Sequence, residues 1–106
     1  MMRESVIEKY LVDRVKALGG EVRKVVWQGR RGAPDRLVML PNRWAWKRAG
    51  FSQCTMPPAT FWVELKATGV KPEAYQLREH DRMCKMGQHV VVVDSIEGVD
   101  GLLGEP

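Results

Sequence analysis

Residues 61–66 read Phe-Trp-Val-Glu-Leu-Lys, and no other stretch restricts the fold of this chain so closely. Apolar, aromatic and β-branched residues at this density specify a strand. The two-residue period of a strand sets Glu64 and Lys66 on one face while Leu65 points to the other. A carboxylate and an ammonium therefore share one surface of a sheet. Upstream, Gly32-Ala33-Pro34-Asp35 leads out of a Gly-Arg-Arg-Gly turn into Arg36-Leu37-Val38-Met39-Leu40, a second strand that carries Asp35 at its start. If the two strands pair, Asp35 and Glu64 meet at one place.

Two carboxylates held close in a partly buried site repel each other, and each tends to keep a proton unless a cation lies between them. Oxygen donors of this kind suit Mg²⁺ or Mn²⁺ rather than zinc. Such an ion can bind a phosphoryl oxygen, acidify a water and screen the charge that builds up as a phosphodiester is attacked. Lys66 adds a fixed positive charge, suited to orienting the attacking water or stabilising the pentavalent phosphorus, where a point charge serves better than a planar fork. Taken alone, Glu64 and Lys66 read as a solvated pair on an exposed strand. The Pro-Asp partner upstream reverses that reading.

At these residues the chain resembles the PD-(D/E)XK nuclease superfamily and, within it, the small stand-alone VRR-NUC domains. The marks are Glu-Ser-Val-Ile-Glu in the first helix, Gly19-Gly20 after it, Gly32-Ala33-Pro34-Asp35-Arg36-Leu37-Val38, Val63-Glu64-Leu65-Lys66-Ala67, Gln76, and Gly87 before Val90-Val91-Val92-Val93-Asp94. They span almost the whole length. The resemblance implies a restriction-endonuclease-like fold, with Asp35, Glu64 and the carbonyl of Leu65 as metal ligands and Lys66 as the catalytic lysine. It also implies a first-helix glutamate as a further ligand or water anchor, Gln76 as a supporting residue, and a flap or junction nuclease. The departure from the family pattern is a long insertion between the two motif strands.

Composition agrees with one domain over residues 1–106: 44% apolar residues suffice for a single modest core. Cys54 and Cys84 have no paired spacing, and the N-terminus has no signal-like pattern. The expected setting is the reducing cytoplasm of a bacterial or phage-infected cell. No segment has the roughly 20 apolar residues a membrane helix needs. A net charge of +4 and a pI near 9.3 suit a nucleic-acid partner.

Along the chain, Ile7, Leu11, Val15 and Leu18 give an amphipathic helix over 3–18, closed by Gly19-Gly20. Glu8 falls at the edge of its buried face. It is preferred to Glu4 as the helix glutamate because it lies nearer the glycine turn. Residues 21–28 predict a strand. Arg30 and Arg31 in the following turn could hold a phosphate beside Asp35, or could simply be solvated. Arg36 is a further candidate for nucleic-acid contact.

The 41–60 segment predicts an inserted hairpin or loop. In it Arg43-Trp44-Ala45-Trp46-Lys47-Arg48 alternates indoles with cations, and Trp44, Trp46, Lys47 and Arg48 could grip phosphates and stack on bases. The same tryptophans could instead pack on the core or on a second subunit. Pro72 and Glu73 open a second helix that ends by Gly87. Gln76, Leu77, His80, Met83 and Cys84 are expected to cover the sheet, leaving Arg78, Arg82 and Lys85 outside. His80 reads as a packed helix residue, His89 as a strand edge, and no zinc-type cluster exists. A strand over 89–94 and a short helix over 96–103 complete an αβββαβ core with a trailing helix, a mixed β-sheet flanked by helices.

These features together predict a Mg²⁺- or Mn²⁺-dependent, structure-selective DNA endonuclease. Resolving a four-way Holliday junction takes two symmetric nicks, which a homodimer supplies. A flap or replication-fork nuclease, acting as a monomer or with a helicase or other repair partner, is the alternative. A non-catalytic DNA-binding module is disfavoured, because it has no need of two carboxylates facing a polyanion.

Overall fold

The stripe of Ile7, Leu11 and Val15 runs along one side of α1 (Glu4–Ala17), and all three side chains are fully buried. The structure is a computed structural model and describes residues 1–41 and 60–104. After α1 the chain reverses through Gly19, whose φ is +87°, and Gly20. A Cβ on Gly20 would stand 2.3 Å from the Met39 carbonyl oxygen, so a side chain here would push the incoming strand off the sheet.

Four strands follow: β1 (Glu21–Lys24), β2 (Arg36–Met39), β3 (Thr60–Leu65) and β4 (Val90–Val93). They lie in the order β1-β2-β3-β4, with β1 and β3 antiparallel to β2 and β4 parallel to β3. The parallel pair needs a crossover, and α2 (Ala74–Lys85) supplies it. Last comes α3 (Ile96–Leu103), begun by Ser95, whose side chain accepts the Gly98 N–H at 2.8 Å. Within the described residues this is the expected αβββαβ order with its trailing helix.

The apolar core lies on one side of the sheet. Phe61, Val63 and Leu65 of β3, Val38 and Leu40 from β2 and just beyond it, and Val93 of β4 pack against α1 and against Val99 and Leu103 of α3. A polar latch joins the two helices across this core: the Tyr10 hydroxyl donates to Asp100 Oδ1 at 2.6 Å, Arg14 pairs with the same carboxylate, and Arg14 Nη2 donates to the Gly104 carbonyl at 2.6 Å. By strand alternation Trp62 and Glu64 face the other way, toward α2. Among the described residues no helix is long and apolar enough to cross a membrane.

Two expectations need correction. The first strand is half the expected length: pairing with β2 runs only to Lys24, and after Val25 N–H donates to the Asp35 carbonyl at 2.9 Å the chain leaves the sheet, with Val26 83% exposed. The second helix begins at Ala74 behind an N-cap at Glu73, and its inward face is Glu79, His80 and Met83, while Leu77 and Cys84 are exposed. His80 keeps its expected place, and Glu79 joins it because its carboxylate is paired with Arg30 and Arg82. The expected hairpin arm, with Trp44, Trp46, Lys47 and Arg48, falls in 42–59, outside the described residues.

Candidate active site

Asp35 sits immediately before β2, and the segment leading to it is pinned at several points. Pro34 is buried, and its carbonyl accepts the Trp27 indole N–H at 2.8 Å. The Trp27 ring in turn lies 5.1 Å from that of Trp62, tilted by 46°. Gly32 has φ +88°, and a Cβ there would meet the Tyr75 carbonyl oxygen at 2.8 Å. The turn is therefore pressed against the first turn of α2 at a point where only glycine has both the backbone freedom and the room.

The β2–β3 register pairs Arg36 with Val63. One residue further along, Asp35 stands opposite Glu64, and both face α2. Glu64 is 8% exposed, and His80 Nε2 lies 3.2 Å from its Oε1. Burial pushes the Glu64 carboxyl above the ordinary carboxylate range and the Asp35 charge adds to this, against the opposing influence of His80 and Lys66. Lys66 follows β3 directly, its backbone N–H donating to the Val93 carbonyl at 3.0 Å, so β4 fixes the backbone from which the ammonium extends.

Arg36 points to the α1 side of β2 and is only 14% exposed. Its Nε donates to Glu8 Oε2 at 2.7 Å, its Nη2 pairs with the same oxygen, and its Nη1 lies 2.9 Å from Asp35 Oδ1. Nη1 is buried and off-line for a hydrogen bond at that distance. Burial works against the guanidinium charge, yet the two carboxylates more than offset it and hold the Arg36 pKa above the usual arginine value. Arg36 is thus an internal cation joining Glu8 to Asp35, not the surface contact the sequence suggested. Glu8 is brought to Arg36 and does not join Asp35 and Glu64 as a third side-chain ligand: among the described residues, no three His, Cys, Asp or Glu side chains converge as a metal cluster.

Gln76 completes a capping box, its Oε1 accepting the Glu73 backbone N–H at 2.8 Å. It holds the turn of α2 against which Gly32 packs, which was not among the contacts expected of it. Two further residues belong to this neighbourhood: His80, expected only as a packed helix residue, and Glu79, which sequence reasoning missed. His80 supports Glu64, and Glu79, 2% exposed, binds Arg30 Nε at 3.0 Å and Arg82 Nε at 3.0 Å. The signal was present in the spacing 76, 79, 80, 83, a helical stripe in which Glu79, its one carboxylate, was passed over. A concavity of about 530 Å³ lined by Ser5, Val6, Lys9, Tyr10, Asp13 and Ile96 holds none of these residues.

No model of a known protein family matches the chain. It is 45% identical over 95 residues to "Putative nuclease p44" of Acyrthosiphon pisum secondary endosymbiont phage 1, an alignment covering 90% of this chain and 86% of that protein. A solved structure described as a VRR_NUC domain superposes with a TM-score of 0.73 at 40% identity, covering 96% of this chain and 95% of the other. With the order of its motif strands and the placement of Asp35, Glu64 and Lys66, the chain belongs to the VRR-NUC nucleases.

Proposed function

We propose that this nuclease hydrolyses phosphodiester bonds of branched DNA in a reaction dependent on Mg²⁺ or Mn²⁺. The observation that carries the reading is the placement of Asp35 opposite Glu64 across β2 and β3, with Lys66 two residues beyond Glu64. The donor set fits a hard divalent cation: both side chains offer anionic oxygens, and Glu64 is drawn out of water beside a second negative charge. Asp35, Glu64 and the Leu65 carbonyl would hold the ion, which supplies Lewis acidity toward a phosphoryl oxygen and lowers the pKa of water. Lys66 stabilises charge on the attacked phosphorus. His80 orients Glu64, Glu8 acts on Asp35 through Arg36, and Gln76 keeps α2 in place beneath the Gly32 turn.

Cation binding should be visible as stability. Without the ion, folded Glu64 binds its proton more tightly than unfolded Glu64 does, so this group costs nothing below its ordinary pKa. Its penalty grows as pH rises from that value through the raised one, and is complete above it. Mn²⁺ should therefore raise the melting temperature more at pH 8 than at pH 5. Saturation at 100 Kd is worth about 2.7 kcal/mol, several degrees for a domain of this size. Glu64→Gln should remove both the pH-dependent component and most of the Mn²⁺ shift. A wild-type melting temperature indifferent to Mn²⁺ at either pH would count against the cation.

The substrate proposed is a four-way junction cut by a homodimer, since paired nicks about a two-fold axis need two sites related by that axis. Arg30 and Arg31, with Trp44, Trp46, Lys47 and Arg48 of the 41–60 insertion, would contact the DNA. A panel of junction, flap, splayed and duplex DNA with Mg²⁺, Mn²⁺ and chelator tests the chemistry, and a cruciform plasmid tests the assembly. Paired cuts linearise the plasmid. Relaxation alone, by a protein of monomer mass in light scattering, would move the reading to a flap or fork nuclease working singly or with a helicase.

A further inference from the structure

The Glu79 carboxylate is 2% exposed, on the inward face of α2, and takes hydrogen bonds from two arginines. Arg30 comes from the turn before Asp35 and gives its Nε to Oε2 at 3.0 Å. Arg82, three residues along the helix, gives Nε at 3.0 Å and Nη2 at 2.6 Å to Oε1. One arginine would neutralise the buried charge. The second leaves the trio with a surplus positive charge, and both guanidinium groups reach the surface, at 46% and 53% side-chain exposure. The Nη groups of Arg30 and Nη1 of Arg82 are not used on Glu79. Beside them Arg31 is already oriented, its guanidinium carbon 4.0 Å from the centre of the Tyr75 ring.

We infer that Arg30 and Arg82, held as a pair by Glu79, form a seat for a DNA backbone phosphate flanking the cleavage site. The location follows from the chain itself: Glu79 precedes His80, which touches Glu64, and Arg30 lies five residues before Asp35. The chemistry follows from the donors. Planar guanidinium forks match phosphate oxygens in pairs, and an arginine whose rotamer is already fixed loses less freedom when it binds. A buried carboxylate that orders its cations while they keep outward-facing donors is a preorganised anion site rather than a surface salt bridge. Hydrogen bonds from Arg82 outweigh the cost of burial and lower the Glu79 pKa from its ordinary value, so the anchor gives up its charge later than a free carboxylate as pH falls. The inference rests on the nuclease reading and adds Arg82 and Glu79 to it.

The test is the salt dependence of DNA binding by the full chain, in chelator so that no strand is cut. Each lost phosphate contact on duplex DNA lowers the slope of log K against log salt by about 0.9. Arg82→Gln and Arg30→Gln should each flatten the slope by about that amount. Lys85→Gln removes the same charge from the same helix at an exposed residue paired with Asp81, and should leave the slope alone. Glu79→Gln gives the sharper contrast. Removing a negative charge should tighten DNA binding if only bulk electrostatics matters, whereas loss of the common anchor should weaken it, with melting curves confirming that the variant folds. If Glu79→Gln does not fold, the two arginine variants decide the matter. A wild type that binds and cuts DNA while Arg30→Gln and Arg82→Gln keep its slope would overturn this inference alone. A wild type that neither binds nor cuts any DNA would overturn the nuclease reading and this inference with it.

Discussion

Asp35→Ala and Glu64→Ala should each abolish cutting of every DNA in the panel and abolish divalent-cation binding with it. Each change removes an oxygen donor that free water cannot replace in the same position, because β2 and β3 hold the two carboxylates opposite each other. Lys66→Ala should separate the two effects. Loss of one preorganised charge at a transition state is typically worth about 10²–10³ in rate, while cation affinity stays close to that of the wild type because the ammonium is not a ligand. Calorimetric titration of Mn²⁺ into the three variants, beside single-turnover cleavage, distinguishes them. Normal cleavage by Glu64→Ala would sink the assignment of the site.

A comparably large loss is expected from a residue with no chemistry of its own. Gly32→Ala places a side chain at φ +88°, which costs an L-residue about 1–2 kcal/mol, and drives its Cβ to 2.8 Å from the backbone oxygen of Tyr75. Neither the strain nor the clash can be relieved by a side-chain rotation. The turn must lift from α2, taking with it Pro34 and the start of β2. Displacement of a reacting group by about 1 Å can cost 10²-fold in rate, so cleavage should fall by about that factor although no carboxylate, lysine or arginine has changed. Circular dichroism should report a folded sheet, since the apolar core lies on the other side. Wild-type activity in Gly32→Ala would show that the turn does not position Asp35.

The parts of this molecule legible from sequence are those decided by near neighbours. Strand alternation alone puts Glu64 and Lys66 together, and helical spacing alone finds Ile7, Leu11 and Val15. The misread parts depend on distant partners. On the inward face of α2 His80 and Met83 were placed correctly, but Glu79 was not, because its partner Arg30 lies 49 residues away in the chain and local hydrophobicity favoured Leu77 and Cys84. The pairing of His80 with Glu64, 16 residues away, was equally out of view. Arg36 looked like a surface cation because its partner Glu8 is 28 residues upstream. The end of β1 was overestimated for a related reason: Val25 and Val26 have strand propensity, but after the single bond from Val25 N–H to the Asp35 carbonyl the chain leaves β2.

The two carboxylates stand at one end of the β2–β3 pair, Asp35 just before β2 and Glu64 near the close of β3, while the connection spanning 40–59 joins the opposite end, where Met39 pairs with Thr60. At about 3.3 Å per residue, four paired positions separate the points where that connection joins the sheet, Met39 and Thr60, from the carboxylates by more than 10 Å. Lengthening a flexible connection costs little, about 0.6 kcal/mol for each doubling. This end of the sheet is therefore a natural graft point. If the insertion engages DNA as proposed, exchanging arms of different length or composition there should change which DNA is cut while leaving the proposed carboxylate pair in register.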